Sequence, residues 1–342
     1  MKSRLSHSKY LLSLIPSIIV IAGNLLGGYF TLGNFFFTFV ILVIADMLAP
    51  SDKTAPQEMD ATMPDFVLIL AVTFHTAAIA TLIYGIHAEI VNDVFIWTAA
   101  ISTGLNAGIL GINAAHELIH RKSKLMQNLG IWNLFLVFYA HFYTEHRLVH
   151  HVKVGTAEDP ATARYRESLY SFWLRTIPGQ FISALQTDAS RQKRKNHAAY
   201  GLYNFSVRAV ILQIMVIAAL VYFLSPVVAA AFAGQCLVAI LLLEYVNYIE
   251  HYGLVRADGV TVGKEHSWQS DAITSRFTLF ELTRHSDHHM LAYKPYHTLE
   301  SHEESPELPF GYFGMFYIAL LPPLFYKMMD RAMPSKEEVH SA

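Results

Sequence analysis

Eighteen histidines stand in the 342 residues of this chain, and 14 of them fall between His116 and His302. They come in spaced groups. In HELIH, His116 and His120 stand at i and i+4, one turn apart on one helix face, so two imidazoles can close on one metal ion. In EHRLVHH, His146 and His150 share a face by the same count, and His151 is turned about 100° away, which offers ligands in two directions. In RHSDHH, His285 meets His288 and His289 at i+3 and i+4. A single histidine, His251 in NYIEHYG, closes a long apolar run.

Counting decides what chemistry these residues suit. Nine imidazoles exceed the three or four protein ligands of one zinc, and the hydrolase signature HExxH leaves seven of them unused. Two metal ions fit better. Neutral imidazole suits iron, zinc, copper and nickel, and zinc has no redox chemistry, so an imidazole-rich pair beside a hydrocarbon phase points to iron handling O2. A headgroup-binding or proton-buffering surface would not produce three separate i, i+4 pairs. The single cysteine, Cys236, forbids both an internal disulfide and any four-thiolate iron centre.

The elements that must position these groups are membrane helices. The chain is 53% hydrophobic and only 15% charged, against roughly a quarter charged in an average soluble domain. This excludes a soluble globule, a disordered chain and a nucleic-acid-binding tail. Six windows approach the roughly 20 apolar residues needed to cross a bilayer, at about 10–30, 32–49, 66–86, 94–114, 207–224 and 227–249. The N-terminal run is read as the first of them rather than as a cleaved signal. A seventh apolar stretch, 310–326, contains Pro322 and Pro323 and reads as an interfacial segment. Lys2, Arg4 and Lys9 precede the first helix, and 12 of the 25 basic residues fall between Ala115 and Phe205. Three short turns, near Gly27–Asn34, Gly85–Asp93 and Ser225–Pro226, contain neither Lys nor Arg. By the positive-inside rule, both termini, the Ser51–Met63 loop and the regions 115–206 and 250–342 are cytoplasmic. The expected fold is an all-α six-helix transmembrane bundle with a cytoplasmic histidine-rich helical cap. It forms one domain over 1–342, in the inner (plasma) membrane of a bacterium.

The motifs HELIHRKS, EHRLVHH followed by TAEDPATAR, NYIEHYGLVR, and LTRHSDHH followed by PYHTLE resemble those of the integral-membrane alkane 1-monooxygenase family. The likeness extends to RESLYSFWLRTIPGQF, HSWQS and LPFGYFGMF, and so spans about Asn113 to Phe316. It implies a non-haem di-iron site ligated by His116, His120, His146, His150, His151, His251, His285, His288 and His289, with O2 as co-substrate. The implied reaction is hydroxylation of the terminal C–H of medium- to long-chain n-alkanes to 1-alkanols. A separate rubredoxin and its NAD(P)H-dependent reductase would supply two electrons. Xylene and cymene monooxygenases, which oxidise alkylaromatic methyl groups, carry similar groups. A fatty-acyl desaturase shares the oxygen chemistry but not NYIEHYG. Val149, Thr283 and Met290 depart from the family pattern, none of them at a ligand position, and Val149 and Met290 are expected to narrow the space around the metals or the entrance used by the redox partner.

An apolar substrate enters through the bilayer. Counting back from His116 and from His251 by 3, 4 and 7 marks Asn113, Ile112 and Ile109, and Tyr248, Asn247 and Glu244, as walls of its channel. Glu244, ionisable within a span, is a functional candidate in its own right. Among the nearby carboxylates Glu117, Glu145, Asp159, Glu250 and Asp287, the favoured ones for fixing a ligand's ring are Asp159 and Asp287. His75 and His141 read as packed histidines. His266, His297 and His302 are read as support for the ligands or as surface residues. Arg191, Lys193, Arg194 and Lys195 form the densest basic cluster, suited to an acidic electron carrier or to inner-leaflet lipid.

Overall fold

A computed structural model describes residues 7–56, 60–257 and 259–334. Lys2 and Arg4 lie outside the described residues. Among the described residues, six helices are long and apolar enough to cross a membrane: α1 (Ser8–Leu26), α2 (Gly28–Met47), α3 (Thr62–His87), α4 (Phe95–Ile119), α8 (Phe205–Phe223) and α9 (Pro226–His251). Their positions follow the hydropathy windows, with one difference. Lys9 lies inside α1 rather than before it, because the helix starts at Ser8. Among the described residues there are helices and two isolated bridges but no strand.

Helices in lipid associate through close packing and buried polar contacts rather than through the hydrophobic effect, and this bundle uses both. Asn24 of α1 donates to the Ala78 carbonyl and to Thr103, Ser17 donates to Asn106, and Asn34 of α2 donates to the Ser102 carbonyl. The α1–α2 turn needs Gly27, with φ at 70° and the Ile90 carbonyl where a Cβ would sit. The α4–α9 pair is closest at Gly104 and Gly108, where a Cβ would press on Val238 and Leu242. By contrast, α8 is peripheral, and Ile214, Met215, Tyr222 and Phe223 are exposed along it.

The remaining helices gather against the bundle. They are α5 (Lys124–Leu136), α6 (142–153), α7 (Leu169–Arg194), α10 (Ile273–Thr278), α11 (His285–Met290), α12 (Tyr312–Ala319) and α13 (Pro322–Ala332). The stretch 310–326 is not a continuous helix, since it breaks at Leu320–Leu321 and restarts on Pro322. Buried Asp46 at the end of α2 accepts from the Ser275 amide and hydroxyl and from the Gly314 amide, which clamps α10 and α12 to the membrane helices.

Two features of the helices matter for the site. α4 contains a π-turn, Ala107–Ile112, before its last segment Asn113–Ile119. α6 is built from Phe142–Glu145, a second π-turn His146–His150, and His151–Lys153. A π-turn bonds i to i+5, widens the helix by one residue per turn and changes which side chains share a face.

Candidate metal centre

Four segments deliver nine imidazoles to one end of the bundle. His116 and His120 come from the end of α4, His146, His150 and His151 from α6, His251 from the last position of α9, and His285, His288 and His289 from α11. Their nitrogens sort into two groups, His116, His120, His146, His151 and His288 in one and His150, His251, His285 and His289 in the other. Within each group the available nitrogens all lie within 4.8 Å of one another. The pairing inside EHRLVHH differs from the α-helical count. His146 shares its group with His151, the two Nε2 atoms 3.0 Å apart, and His150 turns to the other group, because the π-turn stacks positions five apart. Similarly His285 pairs with His289, and His288 crosses to the first group beside His151.

These donors suit metal ions. Nε2 of His285 lies 3.2 Å from that of His251 and 2.9 Å from that of His289, and His288 and His151 meet at 3.1 Å. Two nitrogens bonded to one ion at about 2.1 Å stand roughly 3.0–3.4 Å apart. Nε2 of His116, His120 and His150 is buried with no hydrogen-bond partner, as an atom reserved for a cation would be. Burial first, and then the neighbouring rings, hold His120, His146, His151, His285, His288 and His289 well below the ordinary imidazole value, so their lone pairs are free.

The carboxylates divide differently from expectation. Asp159 Oδ2 lies 2.9 Å from His150 Nδ1 and also accepts from Thr162 at 2.6 Å, which leaves His150 Nε2 for the metal. Burial opposes the Asp159 charge, but His150 and Thr162 hold its carboxyl below the usual range. Asp287 touches none of the nine rings. It binds Lys294 Nζ, the Glu300 amide and His302 Nε2, and so braces α11 against the loop that follows. A second carboxylate that reaches a ring is Glu250, with Oε2 3.2 Å from His285 Nε2, the nitrogen that also faces His251 and His289, and Oε1 accepting from the Tyr312 hydroxyl. LPFGYFGMF, which carries Tyr312, gave no local sign of this contact. Glu117 pairs with Arg121. Glu145 is buried with neither oxygen partnered, and burial raises its carboxyl well above the ordinary value.

The other histidines stay outside both groups. His75 packs on Gly111, and His141 sits between Tyr139 and Phe181. His266 accepts from the Gly263 amide, and the His297 ring lies against His7.

Two cavities approach the centre from the membrane helices. The outer one is lined mainly by Phe39, Val43, Ile109, Leu242, Phe313 and Phe316, and the metal-side one by Ile112, Asn247, Glu250, His116, His146 and His285. Gly108, Asn113, Val246 and Leu282 line both. Four of the six expected channel residues therefore face a cavity, and Glu244 and Tyr248 face neither. Leu243, Val246, Asn247 and Glu250 share one face of α9, and Glu244 and Tyr248 lie about 110° and about 150° around the helix from its centre. Glu244 instead accepts from Tyr139, Thr176, Gln180 and Asn247, a hub joining α9 to α7. Tyr248 donates to the Glu167 carbonyl. Val149 and Met290 line neither of these two cavities.

The same residues can be compared with known proteins. A family model described as fatty acid desaturase matches residues 93–319, which contain all nine histidines. Alkane 1-monooxygenase 1 of Pseudomonas aeruginosa is 34% identical over 300 residues, 84% of this chain and 78% of that protein. Alkane 1-monooxygenase 2 of Alcanivorax borkumensis is 36% identical over 314 residues, 86% of this chain and 80% of that protein. The chain belongs to the alkane 1-monooxygenase family. The xylene/toluene monooxygenase hydroxylase component of Pseudomonas putida is a more distant relative, 25% identical over 328 residues, 93% of this chain and 87% of that protein. Membership makes this chain a monooxygenase.

Proposed function

We propose that this enzyme hydroxylates the terminal C–H of medium- to long-chain n-alkanes, RH + O2 + 2e⁻ + 2H⁺ → ROH + H2O. It would do so with two iron ions, one in each imidazole group. The observation that carries this reading is an apolar passage between membrane helices that ends on neutral, buried imidazoles. No side chain of this protein can activate O2, and that is the chemistry a bound pair of redox-active iron ions supplies.

The chain's own residues do the rest. Phe39, Val43, Ile109 and Phe316 take the alkane tail in a mainly apolar, uncharged space, where the hydroxyls of Thr38, Tyr245 and Tyr312 are committed to Asn34, the Tyr312 carbonyl and Glu250. The metal-side cavity is walled by Ile112, Phe142, Leu243, Val246 and Leu282, which exclude water from the reacting carbon. Asp159 fixes the tautomer of His150, and Tyr312 holds Glu250 against His285.

Electrons come from outside, since Cys236 is the one cysteine and is buried in α9. A separate rubredoxin, recharged by an NAD(P)H-dependent reductase, suits this need. The exposed Lys193, Arg194 and Lys195 with Arg191, at the end of α7, form a surface for such an acidic carrier. With the histidine end on the cytoplasmic side of a bacterial inner membrane, the basic loops and the carrier share one compartment.

The test is reconstitution with rubredoxin, reductase, NADH and O2, offering octane, hexadecane and p-xylene, with products read by mass and iron by elemental analysis. The expected result is 1-alkanol and two irons per chain. A methylbenzyl alcohol as the main product would move the substrate class to alkylaromatics, an alkene would make the enzyme a desaturase, and one zinc would end the oxygenase reading. Turnover that falls with salt and with neutralisation of the 191–195 cluster supports docking there. Indifference to both assigns the cluster to lipid.

A further inference from the structure

Asn113 is the one polar side chain common to both cavities, whose other shared walls are Gly108, Val246 and Leu282. It lies one turn before His116 on α4 and is 5% exposed. Its Nδ2 is buried with no partner, and its Oδ1 takes part in no hydrogen bond within the chain. The neighbouring amide, Asn247, is committed to Glu244. A buried amide without partners is uncommon, because it forgoes the hydrogen bonds it makes in water. An alkane cannot satisfy it. A primary alcohol can, since a hydroxyl both donates and accepts and a carboxamide offers the complementary pair.

We propose that Asn113 binds the hydroxyl of the primary alkanol, so that the junction between the two cavities is a product site. The proposal rests on the alkane-hydroxylating reading for the identity of the alcohol. It concerns binding alone and involves no bond making or breaking. An alkanol seated there has its oxygen held one turn from His116 and its chain in the outer cavity, so it competes with the next alkane. Product inhibition by alcohols that fit the cavity, and not by alkanes of the same size, is the functional consequence.

Binding of 1-octanol and of n-nonane, which has the same number of heavy atoms, can be measured on metal-free protein in lipid nanodiscs, with empty nanodiscs subtracted. One hydrogen bond is worth roughly a fivefold preference. Wild type is therefore expected to retain octanol about fivefold more tightly relative to nonane than Asn113→Leu does, the octanol-to-nonane ratio within each protein being the readout. Asn113→Ser, which keeps a hydroxyl, should fall between the two and stands in should the leucine variant fail to fold. In the reconstituted enzyme, the inhibition constant of 1-octanol should rise by the same factor in Asn113→Leu. An unchanged octanol preference in both variants overturns the proposal. If the metal-free preference depends on Asn113 but the loaded enzyme makes no octanol, the alkane reading fails and the alcohol site stands.

Discussion

His150 and Asp159 show how one contact decides what an imidazole can do. With Nδ1 engaged by the carboxylate at 2.9 Å, Nε2 is the nitrogen left for a metal. Losing such an oriented partner weakens a metal site by about 10–100-fold. With one iron in each imidazole group, as proposed, Asp159→Ala is expected to lower iron content from two toward one per chain after dialysis, read by elemental analysis. Asp287→Ala is the contrasting case. That carboxylate braces Lys294, the Glu300 amide and His302 and touches no ring of either group, so both irons should remain while α11 loosens, read as faster amide exchange over 285–302. Iron loss in Asp287→Ala equal to that in Asp159→Ala would contradict this division.

At the scale of elements, the two π-turns set the geometry. In α4, the wide turn Ala107–Ile112 sends Ile109 to the outer cavity and Ile112 to the metal side. Ile109→Trp should therefore shorten the longest alkane accepted and leave octane turnover largely in place. Ile112→Trp fills space beside His116 and should lower turnover at every chain length. Product profiles from C8 to C16 distinguish the two, and identical profiles would remove this partition of the channel. In α6, the turn His146–His150 sends adjacent histidines to different groups.

Across the whole molecule, distant segments are tied by buried charge on the same end as the histidines. Arg276 and Glu281, 3% and 2% exposed, form an ion pair at 2.6 Å, and Tyr10 of α1 donates to the same carboxylate at 2.8 Å. Arg284 binds Asp271 and the carbonyls of Thr54 and Leu299, directly before the first histidine of α11. Removing one partner of such a pair leaves an uncompensated buried charge, so Glu281→Ala should cost ~3–5 kcal/mol of stability, seen as a lower Tm. Metal removal acts at the same scale. Ions that bind the folded chain stabilise it by mass action, and chelation is expected to lower Tm reversibly, with recovery on adding ferrous iron.

The membrane bundle and the nine histidines are legible in the sequence, for a local reason. Spanning length is a property of one continuous apolar run, and an i, i+4 pair declares itself within five residues. Asp159 was legible too, following its histidine closely in the chain. What tertiary structure alone decided is the grouping. His251 meets His285 across 34 positions and His288 meets His151 across 137, and the π-turn in α6 reverses the pairing an α-helix implies. It also decided that Glu250 rather than Asp287 stands against a ring, that Glu244 ties helices together instead of lining the channel, and that Asn113 has no partner. Each of these depends on the rotation of one helix against another. Rotation is set by packing such as Gly104 and Gly108 against α9, and no single stretch of sequence contains both sides of that contact.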